Sequence, residues 1–219
     1  MSNFFNMENP IFSFLGKVCD VLFLSVIFVL FCIPVITIGP ANTALYYATV
    51  KVIRRERGYL FREFFKSFIL NFKQGAILGI ILTVMYVIIA FDLYAAWTSL
   101  GGTNSVSSIL FGIYIAIAII LLCFSLYIYP VLSRFEMPMK QLIKIVFFMS
   151  IKHLPSTIAM LVVQVAAILG VILIPPLIFI VPALVTLINS LLMERIFKKY
   201  TPKAEGEEEE AKKDEWYLE

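Results

Sequence analysis

The chain has 219 residues, of which 61% are hydrophobic and 15% charged, with a formal net charge of +3 and a mean hydropathy of +0.93. Residues 21–50 and 154–193 carry no charged side chain and residues 74–133 carry only Asp92, together 130 residues. A soluble domain of this size has too little interior to hide so much uncharged chain, which excludes a soluble globular enzyme and makes lipid the solvent of most of the protein.

A helix needs about 20 apolar residues to cross the hydrocarbon of a bilayer. The segment order then predicts an all-α, polytopic membrane helix bundle of five to six transmembrane helices, with two cytoplasmic interfacial amphipathic helices. The first span covers residues 16–36. A turn at Thr37-Ile38-Gly39-Pro40 follows, with Pro40 set to open a helix over 41–57. Asn42, Thr43, Tyr46, Tyr47 and Thr49 make that helix polar. It reads either as a short span covered by its neighbours inside the bundle or as a cytoplasmic helix running away from the membrane.

Residues 59–73 form the first interfacial helix. Phe61, Phe64, Phe65, Phe68 and Phe72 recur at helical spacing with Arg62, Lys66 and Lys73 among them, a pattern suited to a headgroup boundary. The next two spans are 74–97 and 106–133, separated by a polar, glycine-containing turn at 98–104. A second interfacial helix, 138–153, carries Leu142, Ile143, Val146 and Phe147 on one side and Lys140 and Lys144 on the other. The last hairpin, 155–174 and 177–197, breaks at Pro175-Pro176, where ring clash and missing amide hydrogens interrupt a helix. These elements make one membrane domain over residues 1–200. Residues 201–219 hold eight acids against three lysines and read as an acidic, disordered cytoplasmic tail.

The cations orient the set. Lys51, Arg54, Arg55, Arg57, Arg62, Lys66 and Lys73 lie between the first two apolar stretches, and Arg134, Lys140, Lys144 and Lys152 between the second and third. Residues 98–105 and 175–176 contain no lysine or arginine. By the positive-inside rule the cationic segments face the cytoplasm, as does the C-terminus. Lys17 favours a cytoplasmic N-terminus, although Asp20 nearly cancels it. No cleavable leader is evident, so the first helix reads as a retained anchor. Segments 59–136 and 138–197 each run from an interfacial helix into a hairpin. They end alike, at Ser133-Arg134-Phe135-Glu136 and Met193-Glu194-Arg195-Ile196. A weak duplication and the ordinary rhythm of polytopic proteins both produce such a pattern.

Catalytic chemistry is hard to place. Cys19, Cys32 and Cys123 have no metal-ligand spacing and read as packing residues. His153 stands alone beside Lys152, and no phosphate-binding glycine loop occurs. No catalytic, cofactor or metal site is expected, nor any nucleic-acid partner; the partner is the lipid bilayer. Asp92 is a candidate by default, since an acid in hydrocarbon is costly. It lies about 7–8 Å below the outer end of its helix, so outer-rim placement competes with cation coupling. Gln164 and Asn189 need hydrogen-bond partners in lipid and should face other helices.

Three segments carry a resemblance. Phe4-Phe5-Asn6-Met7-Glu8-Asn9-Pro10, the turn Pro34-Val35-Ile36-Thr37-Ile38-Gly39-Pro40-Ala41 with Thr43-Ala44-Leu45-Tyr46-Tyr47, and Gly58-Tyr59-Leu60-Phe61-Arg62-Glu63-Phe64-Phe65-Lys66-Ser67-Phe68 resemble the YesL-like family of uncharacterised bacterial membrane proteins. The likeness covers residues 4–75, and the remainder only by hydropathy pattern. It implies the bacterial cytoplasmic membrane and an association with ATP-driven carbohydrate uptake transporters, and it transfers no functional residue.

The expectation is a non-enzymatic accessory to a carbohydrate uptake system, acting through the cationic face of Arg54, Arg55, Arg57, Arg62, Lys66 and Lys73. No Glu-Ala-Ala docking loop of an importer permease is present. The alternative is a small-solute transporter whose polar path includes Asn42, Thr43, Tyr46, Gln164 and Asn189.

Overall fold

The structure, a computed structural model, describes residues 10–99 and 105–200. The opening residues 4–9, most of the 98–104 turn and the acidic tail lie outside the described residues. Eight α-helices make up the described chain: α1 (Pro10–Phe31), α2 (Ile38–Ala48), α3 (Leu60–Leu70), α4 (Phe72–Ser99), α5 (Ser105–Arg134), α6 (Met139–Lys152), α7 (Leu154–Leu173) and α8 (Val181–Phe197). No strand occurs among the described residues.

Prolines set several boundaries. α1 stops short of residue 36 because Pro34 takes an extended conformation and starts a single 3-10 turn, Val35–Thr37. Pro175 and Pro176 open another 3-10 turn, Pro175–Phe179, so α8 begins at Val181 and not at 177. Ser25 of α1 caps that new start: its hydroxyl accepts the Ala183 amide hydrogen and donates to the Ile180 carbonyl, each at 3.1 Å.

The segments 72–99, 107–134 and 154–173 are long and apolar enough to cross a membrane. Their outward residues, among them Val87, Phe91, Ile120 and Ile172, are large, apolar and exposed, the surface that hydrocarbon would cover. α4 and α5 form one hairpin, α7 and α8 a shorter one.

α2 is the most enclosed element. It packs on α1, α3, α4, α5 and α8 and is shared by two hydrophobic cores. Tyr46, and Val50 just beyond the helix end, face the core of α4–α8, whereas Ala41, Ala44, Leu45 and Ala48 face that of α1 and α3. It enters against the first turns of α4 at a glycine crossing. A Cβ on Gly39 would run into the Gly75 carbonyl oxygen, and one on Gly79 would meet the Gly39 amide nitrogen at 2.7 Å. Gly75 and Gly79 are four residues apart on one face, the small-residue spacing that lets membrane helices approach to backbone contact.

The segment beyond Ala48 widens into a π-helix, Thr49–Arg54. Glu56 and Gly58 then take positive φ and turn the chain into α3. Lys17 pairs with Glu56 at 2.7 Å, so the start of α1 meets the end of the α2 segment and the two fold as a hairpin.

Two expectations about the amphipathic helices change. α3 does not turn its aromatic face outward, because Phe64 and Phe68 are buried against Phe31 of α1. Phe64 and Phe68 are core and Phe65 is half-buried, whereas Phe61 and Phe72 of the same stripe stay exposed, as do Tyr59, Ile69 and Leu70. On α6, Leu142 and Val146 turn inward with Met149, while Ile143 and Phe147 turn out.

Candidate functional site

Inside the bundle a polar cavity of about 220 Å³ lies between α2, α4, α5, α7 and α8. Four sequence candidates line it: Asn42, Tyr46, Gln164 and Asn189, one or two from each of three elements. Tyr86, Ser125, Tyr129 and Thr186 add further hydroxyls. α5 contributes a backbone feature as well. Pro130 has no N–H to give to the Leu126 carbonyl one turn earlier, and both residues line the cavity.

Part of this polar lining is already committed. Asn42 Nδ2 donates to the Ile38 carbonyl at 2.8 Å, Tyr86 donates to the Ser125 hydroxyl at 2.8 Å, and Thr186 donates to the Pro182 carbonyl at 2.8 Å. Tyr46 donates to the Glu194 carboxylate at 3.1 Å and Ser125 to the Leu122 carbonyl at 2.9 Å. Three lining groups remain: Asn189 Oδ1 is buried without a partner, and neither Gln164 nor Tyr129 makes a side-chain hydrogen bond among the described residues. Buried polar groups are ordinarily satisfied, so such a cluster around a void marks a place for water or a polar solute. The lining has no ionisable group other than tyrosine phenols, which suits a neutral guest held by hydrogen bonds.

Thr43 and Asp92 do not join the cavity. Thr43 is buried and spends its hydroxyl on the Gly39 carbonyl at 3.1 Å within α2. Asp92 is half-buried near the far end of α4, away from the cavity lining, with no ion pair or hydrogen bond among the described residues.

The basic end of the bundle holds charges that sequence reasoning had not singled out. Glu194 of α8 is 2% exposed. Its Oε2 accepts from Arg134 at 2.6 Å and from Arg55 at 3.4 Å, and its Oε1 accepts from Tyr46 at 3.1 Å. Arg134 also lies over the Phe197 ring. A second buried pair joins Lys51 of the π segment to Glu63 of α3 at 2.9 Å, with the Tyr47 hydroxyl 3.2 Å from the same nitrogen. Gly58 is needed there twice: its φ is +84°, and a Cβ would press on the Glu63 carboxylate.

These contacts divide the expected cationic face. Arg55 is bound to Glu194 and Arg54 donates to the Ser190 carbonyl at 2.9 Å, so both tie elements together. Arg57, Arg62 and Lys73 are exposed and Lys66 half-buried. The signal that could have found Glu194 was present in the similar hairpin ends: Arg134 and Glu194 come from those two motifs, and Phe135 of the first lies 5.5 Å from the ring of Phe197, the residue after the second.

His153 sits between α6 and α7, 3.1 Å from the Tyr200 hydroxyl. Partial burial, then the charges of Lys199 and Lys152, hold its imidazole below the ordinary histidine range. Among the described residues no cluster of histidine, cysteine and carboxylate groups could hold a metal ion.

Compared with known proteins, residues 20–93 match the family described as "Protein of unknown function, DUF624". The match takes in the Gly39–Gly75–Gly79 crossing, the Lys51–Glu63 pair and the α2 wall of the cavity, and stops before Arg134, Gln164, Asn189 and Glu194. No curated protein and no solved structure matches the chain.

Proposed function

We propose that this chain is a non-enzymatic, multi-pass protein of the bacterial cytoplasmic membrane that binds and passes a small, uncharged, hydroxyl- or amide-bearing solute. The supporting observation is the convergence of Asn42, Tyr46, Gln164 and Asn189 on one cavity in which the Asn189 Oδ1 is buried without a partner and the Gln164 amide makes no side-chain hydrogen bond among the described residues. At about 220 Å³ the cavity is below the usual range for drug-sized ligands, so the solute is of monosaccharide size or smaller. The basic end, with Arg54, Arg55, Arg57 and Arg134, faces the cytoplasm. The α1–α2 hairpin brings Lys17 to that end and supports a cytoplasmic N-terminus and six passes.

Thermal unfolding of the purified protein with neutral sugars, polyols and amides tests this. A binding solute raises the midpoint as its concentration exceeds its dissociation constant, and Gln164→Leu abolishes the rise. If no solute shifts the midpoint and the Gln164→Leu protein supports the same uptake in vesicles, the reading fails.

The second reading, favoured by the exposed cations Arg57, Arg62 and Lys73 and by the YesL-like resemblance, is an accessory to an ATP-driven carbohydrate importer. Mild-detergent affinity purification from native membranes would then recover transporter subunits, and their absence would count against it.

A further inference from the structure

An apolar groove of about 870 Å³ runs along α6 at the basic end. Ile145, Phe147, Phe148 and Ile151 form it, Lys144 and Lys152 flank it, and no carboxylate lines it. Phe147, Phe148 and Ile151 are each more than half exposed, so the described residues leave this carbon surface uncovered. Neither lysine pairs with a carboxylate among the described residues. Tyr200 lines the groove as well. Its hydroxyl is 3.1 Å from His153 Nε2, and Lys152 Nζ sits over its ring, 5.3 Å from the centroid. The chain leaving α8 is therefore pinned at the groove where the described residues end.

We propose that the occupant is the segment that continues from Tyr200, residues 201–219, folded back along α6. Trp216, Tyr217 and Leu218 lie on the apolar floor, and the acids of the segment lie beside Lys144 and Lys152. The charges are complementary, since the segment holds eight acids against three lysines. Exposed Lys198 and Lys199 add cations where it departs. The side chains match too: Trp216-Tyr217-Leu218 follows Asp214 and Glu215 directly, so one short stretch carries both the apolar and the acidic groups that the groove and its rim lack. The reach is sufficient. Trp216 is 16 residues beyond Tyr200, a coil of that length spans roughly 20–24 Å, and the 14 residues of α6 run about 21 Å. Such a tether holds the tripeptide at millimolar effective concentration, so weak contacts suffice. Docking removes the exposed aromatic carbon of α6 from water and offsets part of the positive charge of the basic end.

The inference is independent of the solute cavity. The test is acrylamide quenching of Trp216 in the full chain in mild detergent. The only other tryptophan, Trp97, is exposed on α4 and is replaced in a Trp97→Phe background, so one indole reports. Trp216 should be quenched several-fold more slowly than in a free peptide of residues 201–219, at any protein concentration. Lys144→Glu/Lys152→Glu should lower the docked-to-free ratio about tenfold, by turning two exposed attractions into repulsions. Arg57→Glu/Arg62→Glu, exposed cations away from the groove, should leave it unchanged. Glu207→Gln/Glu208→Gln/Glu209→Gln/Glu210→Gln alters the segment and not the bundle, and should free Trp216 as well. So should 1 M salt, which cuts the screening length to about 3 Å. Peptide-like quenching in the unaltered segment would overturn the proposal. So would protection that survives both the lysine reversal and the glutamine series, which means uptake by detergent. Equal loss in the two double variants, or protection that fades on dilution as docking on a second copy would, overturns it too.

Discussion

Replacing Glu194 by alanine removes the anion that holds the basic end together. The carboxylate is 2% exposed and its partner Arg134 has a side chain 5% exposed. Deleting one member of a buried pair leaves the other charge uncompensated, at a cost of about 3–5 kcal/mol. The Tyr46 hydroxyl also loses its acceptor, but Arg55, about a quarter exposed, can turn to water and adds little. Because these losses overlap, about 4 kcal/mol is expected in total.

For a chain of this length that lowers the unfolding midpoint by about 8–16 °C. The assay is thermal unfolding in mild detergent, followed by reaction of a maleimide dye with Cys32 and Cys123, which are partly buried; exposed Cys19 sets the baseline. Arg195→Ala, on the exposed side of the same helix turn, should stay within about 0.5 kcal/mol of wild type. Glu194→Met combined with Arg134→Met should recover at least half of the loss, since apolar replacement of a whole pair is often neutral. A Glu194→Ala midpoint within about 2 °C of wild type, or a double variant no better than the single, would refute this account of the cluster.

Three further outcomes follow from the packing and the titratable groups. Gly39→Ala should cost about 1–3 kcal/mol, because its Cβ meets the α4 backbone and neither helix can give way, whereas Gly16→Ala and Gly112→Ala, with nothing within 4 Å, should be silent in the same melt. Asn189→Leu should raise stability by about 1 kcal/mol by removing an unpartnered buried acceptor, while it abolishes any stabilisation by solute; a solute response equal to wild type would remove Asn189 from the site. His153 makes stability fall in acid. Its imidazole is held below the ordinary range, so the unfolded chain binds its proton first; the contribution is complete above about pH 6.5 and is lost as pH drops through the folded value. His153→Gln should flatten the midpoint between pH 7.5 and 5.5 relative to wild type, roughly the window in which histidine titrates, and an unchanged slope would exclude this residue as the cause.

Much of the architecture could be read from the chain because lipid imposes simple rules. The uncharged runs located α4, α5 and α7, and Pro175 and Pro176 marked where a helix stops, whereas Pro34 was read as part of the first span and in fact lies beyond its end. The cavity candidates were legible for a related reason: Gln164 and Asn189 are polar residues in apolar segments, and an unpaired amide in hydrocarbon is costly enough to be turned inward. Asp92 met the same criterion yet lies elsewhere, half-buried near the far end of α4 and outside the cavity lining. Glu194, Glu63 and Lys51 were missed since they lie in segments rich in charge, where each looks like an ordinary solvated residue. Their burial is decided by which helices meet, and sequence spacing does not encode that. The α3 aromatics failed in the opposite sense. Five phenylalanines at helical spacing describe an amphipathic face, but that Phe64, Phe65 and Phe68 meet Phe31 while Phe61 and Phe72 stay exposed depends on the hairpin that α1 and α2 form. The Gly75–Gly79 spacing was visible in the sequence and gains its meaning only from Gly39 across from it.

Tyr46 connects the cavity to the charged end. Its ring flank forms part of the cavity wall, its edge packs against Phe197 at 6.5 Å, and its hydroxyl is held by Glu194. Met193, the residue before Glu194, lines the cavity as well. The position of that wall is therefore set by a carboxylate that Arg134 of α5 and Arg55 beyond α2 hold from two further directions. α8 cannot shift against α2 without stretching the Tyr46–Glu194 contact. The buried charges thus lie next to the polar cavity, and the contacts that hold the helices together there also set the position of its Tyr46 wall.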